Sequence, residues 1–292
     1  MSGSTRMRSL EDAMAAVKSG PDDAVDDSED LDDDYVEVQK TISGGRRRQS
    51  RSLVQEILPF TFSPLIRPLT VRDLECCIAV ENAAFTNPEH RCTREKFEYR
   101  LSTCPELSLG VFCTIVPSVA EERGFEIDTL KTAKVVETAR PNRAKSVLFA
   151  HIVSTKSNGV VVTDKDMDYP RDWKTRTPSA SDVGHKEAGR TICLHSLAVH
   201  PKLQGCGLGK MLMKAYLQQI KNSGVADRIS LIAQEDLVNY YAKHGFQNLG
   251  PSKVTYGGGG WYDMVRRAAP ASTRSREPPT NSDRRLRSVL HP

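Results

Sequence analysis

The run Gln204-Gly205-Cys206-Gly207-Leu208-Gly209, followed by Lys210, stands between a segment with strand character and one with helical spacing. Glycines at alternate positions let backbone N–H groups close on a ligand. The first amides of a helix have no acceptor within it, so the natural guest is an anion such as phosphate. A P-loop is excluded, since it needs glycine where Gln204 stands and Ser or Thr where Met211 stands. The dinucleotide fingerprint fails too: begun at Gly205 it needs Gly or Ala at Lys210, and begun at Gly207 it needs one at Leu212. The loop alone leaves two readings open, a phosphate cradle of another kind and a plain glycine-rich turn ahead of a helix.

The elements that must position this loop are legible on both sides. Thr191 to Val199 is rich in β-branched and apolar residues, and strict alternation sets Cys193, His195 and Leu197 opposite Ile192, Leu194 and Ala198. His200-Pro201 ends that strand. Leu208, Met211, Leu212, Ala215 and Ile220 then mark one face of a helix. Upstream, residues 65–69 read as a first strand. Thr70 with Asp73 makes an acidic capping box, and Val71, Leu74, Ile78 and Phe85 form a helical stripe. A second helix is expected over 93–101, and strands over 107–115 and 147–154. Residues 117–146 and 156–190 are polar and aperiodic and read as long insertions. Downstream, 228–233 is a buried strand, 236–244 a short helix carrying Tyr240 and Tyr241, and 246–249 and 261–265 closing strands.

Length and composition set the frame. The 292 residues include 38% hydrophobic residues, enough for a core, and the net charge is only +4. That balance conceals an acidic first 40 residues and an arginine-rich end beyond Arg266, both of which read as disordered tails, 1–60 and 267–292. No groove-like mixture of basic and aromatic residues argues for nucleic acid. The seven cysteines lack paired spacing and no histidine pair sits at a zinc interval, so neither a disulfide framework nor a metal is expected. With no signal peptide or membrane span in view, a cytoplasmic protein is expected. Arg47 and Arg48 precede Ser50 as a basophilic kinase requires. A phospho-dependent partner there is one reading and an unmodified basic linker the plainer one.

The element order and four segments carry a resemblance. AFTNP, CPELSLG (104–110), LHSLAVH (194–200) and the tyrosine before HGF resemble the arylalkylamine (serotonin) N-acetyltransferases of the GNAT superfamily, and most of all their fungal relatives, which are associated with polyamines as well as aromatic amines. The resemblance spans residues 64–266. It implies an α/β (α+β) fold, a mixed, mostly antiparallel central sheet flanked by helices. It also implies acetyl-CoA as co-substrate and direct transfer of acetyl to the primary amine of a small arylalkylamine or polyamine. By the same resemblance Gln204, Gly205, Cys206, Gly207, Leu208, Gly209 and Lys210 form the acetyl-CoA loop, and Leu197, Ala198 and Val199 pair with the pantetheine arm. His195 matches the general base, Tyr241 the general acid, and Phe85, Leu194, Leu197 and Ile232 the acceptor pocket. Tyr240 and His200 are read as structural.

The chemistry agrees with those types. An ammonium ion must lose a proton before it attacks a thioester, and histidine titrates near neutrality. A tyrosine hydroxyl can protonate a departing thiolate, and backbone N–H near Leu197 can hold a developing oxyanion. Animal members carry a second histidine two residues before the base, where this chain has Cys193. That departure keeps a non-catalytic acetyl-CoA-binding module in play, and the long 156–190 loop, which could supply or block a groove, does the same for a protein or peptide acetyltransferase of the same fold.

Overall fold

A computed structural model describes residues 53–138, 140–175 and 181–268, so the expectations for residues 1–50, Ser50 among them, and for the C-terminal tail lie outside the described residues. Order begins earlier than the composition indicates. Leu53–Ile57 forms a short helix, α1, that buries Val54, and Leu58, Phe60 and Phe62 join the core behind it. Strand β1 (Pro64–Pro68) leads into the expected cap. The Asp73 carboxylate accepts from both Thr70 N–H and Thr70 Oγ1 and is held by Arg67 at 2.7 Å, which starts α2 (Leu74–Ala84). Such a cap is worth about 1 kcal/mol. Thr93 caps α3 (Arg94–Thr103), and β2 is Leu109–Ile115.

The stretch 117–146 is not a bare insertion. It folds as α4 (Pro117–Glu122), α5 (Asp128–Thr132) and a two-residue strand β3 (Lys134–Val135), with Ala120, Phe125, Ile127 and Ala133 buried in the main core. Its apolar residues are too few and too irregularly spaced to show a period, yet these four land inward while Val135 stays exposed. Strand β4 (Lys145–Ser157) is an interior strand, and the connection after it holds one helical turn, α6 (Asp164–Met167). Then come β5 (Thr191–Val199), α7 (Leu208–Ser223), β6 (Arg228–Ala233), α8 (Glu235–Ala242), β7 (Gln247–Pro251) and β8 (Tyr262–Arg267).

The eight strands among the described residues form one sheet, ordered β1-β2-β4-β5-β6-β8-β7 with β3 on β4. Every pairing is antiparallel except β5 with β6. Helices cover both faces. On one, Glu81 of α2 and Phe97 of α3 reach the sheet at Ser196 and His151. On the other, the fully buried Tyr216 of α7 donates to Leu107 O at 3.1 Å and lies 2.7 Å from Ser154 Oγ, whose hydroxyl can donate to it. Burying a tyrosine-sized side chain is worth about 4 kcal/mol, and the hydroxyl is paired rather than stranded.

Candidate active site

Two irregularities in the sheet make the site. The first is a parting. Parallel β5 and β6 pair only over Thr191–Cys193 and Arg228–Ser230, after which the ladder ends. Residues 194–199 of β5 therefore run to the glycine loop without a neighbour on that side, an edge on which an extended chain could add. The loop is shaped as its glycines require. Gly205 and Gly207 have φ of +73° and +89°, a region costing other residues about 1–2 kcal/mol, and a Cβ at either would meet nothing within 4 Å. Gly207 is the N-cap of α7 and offers no capping side chain, so the first turn of the helix receives no side-chain acceptor from its cap.

The side chains of the loop brace it. Gln204 Nε2 donates to Val199 O at 3.0 Å, tying the loop to the end of β5, and Cys206 Sγ donates to Leu203 O at 2.7 Å. Leu208 and Ala198 are buried in the core, Leu197 and Val199 are half-buried, and Lys210 is exposed. One residue here was not anticipated. A Cβ placed on Gly209 would lie 3.3 Å from Tyr240 Oη and 3.5 Å from Val199 Cγ2, so the Tyr240 hydroxyl sits against the first turn of α7. That oxygen is occluded from solvent and has no hydrogen-bond partner among the described residues. Burial alone pushes the phenol up to about 12, so it stays a donor at physiological pH. A sequence-level signal existed only in hindsight, in two adjacent tyrosines on a helix whose apolar face needs one.

The second irregularity is a β-bulge. Val153 pairs with Ser196 and the next residue, Ser154, with Leu194, so His195 is the extra residue on β5. The bulge changes the alternation. His195 and Ser196 both project to the face carrying α2 and α3, where His195 meets Thr155 and Ser196 meets Glu81. Leu197 shares the opposite face with Leu194, whose register partner Ser154 contacts α7. The expected grouping of Leu197 with His195 therefore does not hold, because one inserted residue reverses the period of two beyond it.

His195 is half-buried, with Nε2 2.8 Å from Thr155 Oγ1 and Nδ1 3.4 Å from Met167 Sδ. A thioether has no proton to give, which assigns the hydrogen to Nδ1 and leaves the Nε2 lone pair to accept from the threonine hydroxyl. Burial first, then the Arg100 and Lys96 cations, hold the imidazole well below its ordinary 6.5, so it is neutral at pH 7. Cys193 cannot stand in for a second histidine. It is fully buried, and burial with the Asp166 carboxylate raises the thiol far above its usual range.

Beside His195 lies a second apolar cluster of Val162, Met167, Cys193, Val254 and Trp261, with Ile232 and Tyr256 packed on it. It joins the connection after β4 to the turn before β8. The Asp164 carboxylate accepts from Thr255 N–H and Oγ1 and Tyr256 N–H at 3.0 Å, and Arg100 Nη2 donates to Met167 O at 3.0 Å. Lys96 Nζ lies 4.5 Å over the Tyr256 ring. Of the four pocket residues expected, Ile232 joins this cluster. Leu194 is buried on the opposite face, Leu197 lies there too, and Phe85 ends α2, half-buried against the main core. Tyr241 is buried against Phe246 and Tyr240, with ring centroids 5.7 and 5.2 Å away, and burial lifts its phenol far above the usual range. No group of three or more metal-ligating side chains occurs among the described residues, and none of their helices is long and apolar enough to cross a membrane.

Comparison with known proteins gives this arrangement a family. Residues 178–264, which hold the bulge, the loop and both tyrosines, match the acetyltransferase (GNAT) domain. Serotonin N-acetyltransferase of Mesocricetus auratus is 30% identical over 193 residues, covering 65% of this chain and 71% of that protein. The Homo sapiens enzyme is 26% identical over the same shares. The loading GNATL domain of CurA from Lyngbya majuscula is similar with a TM-score of 0.46 and 14% identity, covering 71% of this chain and 98% of that one. The match to the Mesocricetus auratus protein spans more than two thirds of its length, the family model spans the parted strands and the loop, and the chain belongs to the GNAT family of N-acetyltransferases, in its serotonin N-acetyltransferase-like branch.

Proposed function

We propose that the protein transfers the acetyl group of acetyl-CoA to the primary amine of a small arylalkylamine, by direct attack within a ternary complex. The observation that carries this reading is the parted β5/β6 pair, which leads from the half-buried His195 straight to an open loop at a helix start. Acetyl-CoA supplies an acetyl group already activated as a thioester. The residues present suit it: open space at Gly205 and Gly207, a helix start without a side-chain cap, and a buried Tyr240 hydroxyl with no partner among the described residues. Leu197, Ala198 and Val199 would extend the sheet onto the pantetheine arm, while Gln204 and Cys206 keep the loop in shape and Lys210 adds positive charge.

His195 takes the proton from the ammonium group. Because Thr155 Oγ1–H donates to Nε2, a proton arriving at the threonine oxygen can pass on as Thr155 hands its own to the imidazole. Tyr241, kept protonated by burial, matches the donor to the departing sulfur. The acceptor side is aromatic and apolar, with Tyr256, Trp261, Ile232 and Met167, and it already holds two cations near His195, Lys96 and Arg100. That combination favours an aromatic monoamine over a polyamine, whose further charges would be repelled. Met167, on the strap formed by the connection after β4, lies 3.4 Å from His195 Nδ1 and occupies space that a peptide chain would need. Seven unpaired cysteines fit a reducing, cytoplasmic location.

The test is kcat/KM for tryptamine, phenethylamine and spermidine with wild type and His195→Ala. The expectation is turnover of an aromatic amine and a loss of about 10²-fold or more in the variant, the size of a lost general base. Preference for spermidine would overturn the aromatic reading, and an unimpaired variant the role of His195.

A further inference from the structure

Beneath the bulge lies a polar cluster that the proposed chemistry does not use. Glu81 of α2, His151 of β4 and Ser196 of β5 are 1%, 0% and 3% exposed. Ser196 Oγ donates to Glu81 Oε2 at 2.7 Å, and His151 Nε2 lies 3.0 Å from the same oxygen and 3.3 Å from Ser196 Oγ. Cys92 N–H donates to Glu81 Oε1 at 2.9 Å. The carboxylate accepts only, so Nε2 carries the hydrogen, and His151 Nδ1 has no partner among the described residues, while the His151 and Phe97 rings meet in a T at 5.6 Å. A buried carboxylate is costly, and apolar residues of similar size would pack there at lower cost.

The cluster sits where the sheet is least regular. Without an anchor on Ser196, β5 could run on from Leu194 in plain register, setting His195 opposite Val153 and Ser196 on the other face, which moves the imidazole out of its bulged position beside Thr155. Ser196 is the next residue, and its hydroxyl is fixed from two elements at once. We propose that Glu81, His151 and Ser196 are positioning residues for His195. They pin the bulge so that the imidazole keeps Nε2 on Thr155 and Nδ1 on Met167. The inference rests on the reading of His195 as the base.

The test uses the full chain and the substitutions Ser196→Ala, Ser196→Thr and Glu81→Gln. Histidine ring nitrogens are followed by long-range ¹H–¹⁵N correlation, alongside kcat and KM with acetyl-CoA and tryptamine. Wild-type His195 is expected to show one tautomer, protonated at Nδ1. In Ser196→Ala that signature should move or average, and kcat should fall about 10-fold or more at unchanged KM for acetyl-CoA, as for a displaced catalytic group. Ser196→Thr, which keeps the hydroxyl, should recover the spectrum. An unchanged His195 spectrum in Ser196→Ala overturns the proposal whatever happens to kcat, and that variant decides the matter if Glu81→Gln fails to fold. Wild type that turns over no amine would instead count against the proposed function, while the ring spectrum would still decide the positioning role.

Discussion

Tyr240→Phe separates binding from stability, because the structure gives the two effects opposite signs. In the free protein the hydroxyl is occluded and unpartnered against the first turn of α7. An unsatisfied buried donor costs about 1–3 kcal/mol, so its removal should stabilise the free protein. The ring itself stays, packed on His244 and Tyr241 at 4.9 and 5.2 Å. Taking the lower figure, Tm rises by about 2–4 °C for a domain of this size. With coenzyme A bound, the same hydroxyl would donate to it. A hydrogen bond to a charged acceptor such as a phosphate oxygen is worth about 1.5–3 kcal/mol, or roughly 10- to 100-fold in Kd. Calorimetric titration with coenzyme A and thermal unfolding without it measure both terms. A variant more stable than wild type that binds coenzyme A about 10-fold or more weakly is the expected result. Equal affinity would refute the placement of Tyr240 in the coenzyme site, and a lower Tm would show that the hydroxyl has a partner in the free protein.

Tyr241→Phe should do the reverse: kcat falls by about 10²-fold, the range for a lost proton donor, while Kd for coenzyme A is unchanged. Loss of affinity with intact kcat would exchange the roles of the two tyrosines. Asp164→Ala removes the acceptor for three donors from Thr255 and Tyr256 and so frees the strap that carries Met167. KM for the amine should rise several-fold with coenzyme binding unaffected, and stopped-flow coenzyme titration provides the control. Stability should fall in mild acid. Burial holds His195, His185, His200 and His244 below 6.5, His244 at about 4, so the unfolded chain binds more protons between those values. Their contribution is complete above about pH 6.5 and is lost as pH falls toward 4, each histidine adding up to about 1.4 kcal/mol per pH unit. Urea unfolding at pH 7.5, 6 and 5 checks this, and a flat profile would contradict the buried, neutral assignment.

How far the sequence carried depended on whether a feature was local. The loop, the strand over 191–199 and the capping box of Thr70 and Asp73 were legible, because each is set by neighbouring residues: glycine sign, β-branching, side-chain reach. The helical segment 53–57 and the core residues Phe125 and Ile127 were not, since only a partner far along the chain gives them a place to bury. Tyr240 shows the same limit. Adjacent tyrosines on one helix differ by about 100° around its axis, and only the tertiary structure shows which one faces the first turn of α7.

The bulge is the sharpest case, because it invalidates an argument rather than omitting a fact. Alternation along TICLHSLAVH groups His195 with Leu197 and leaves Ser196 outside the site. One extra residue opposite Val153 and Ser154 instead groups His195 with Ser196 and sends Leu197 to the α7 face. Nothing in the strand itself specifies that insertion. What favours it is the company it gives Ser196. In plain register its hydroxyl would turn away from Glu81 and His151, leaving a buried carboxylate with one donor fewer, a loss of about 1.5–3 kcal/mol. The same choice sets His195 between Thr155 and Met167 with a defined tautomer. A buried polar cluster thus favours the bulged register of β5, and that register sets where the His195 imidazole points.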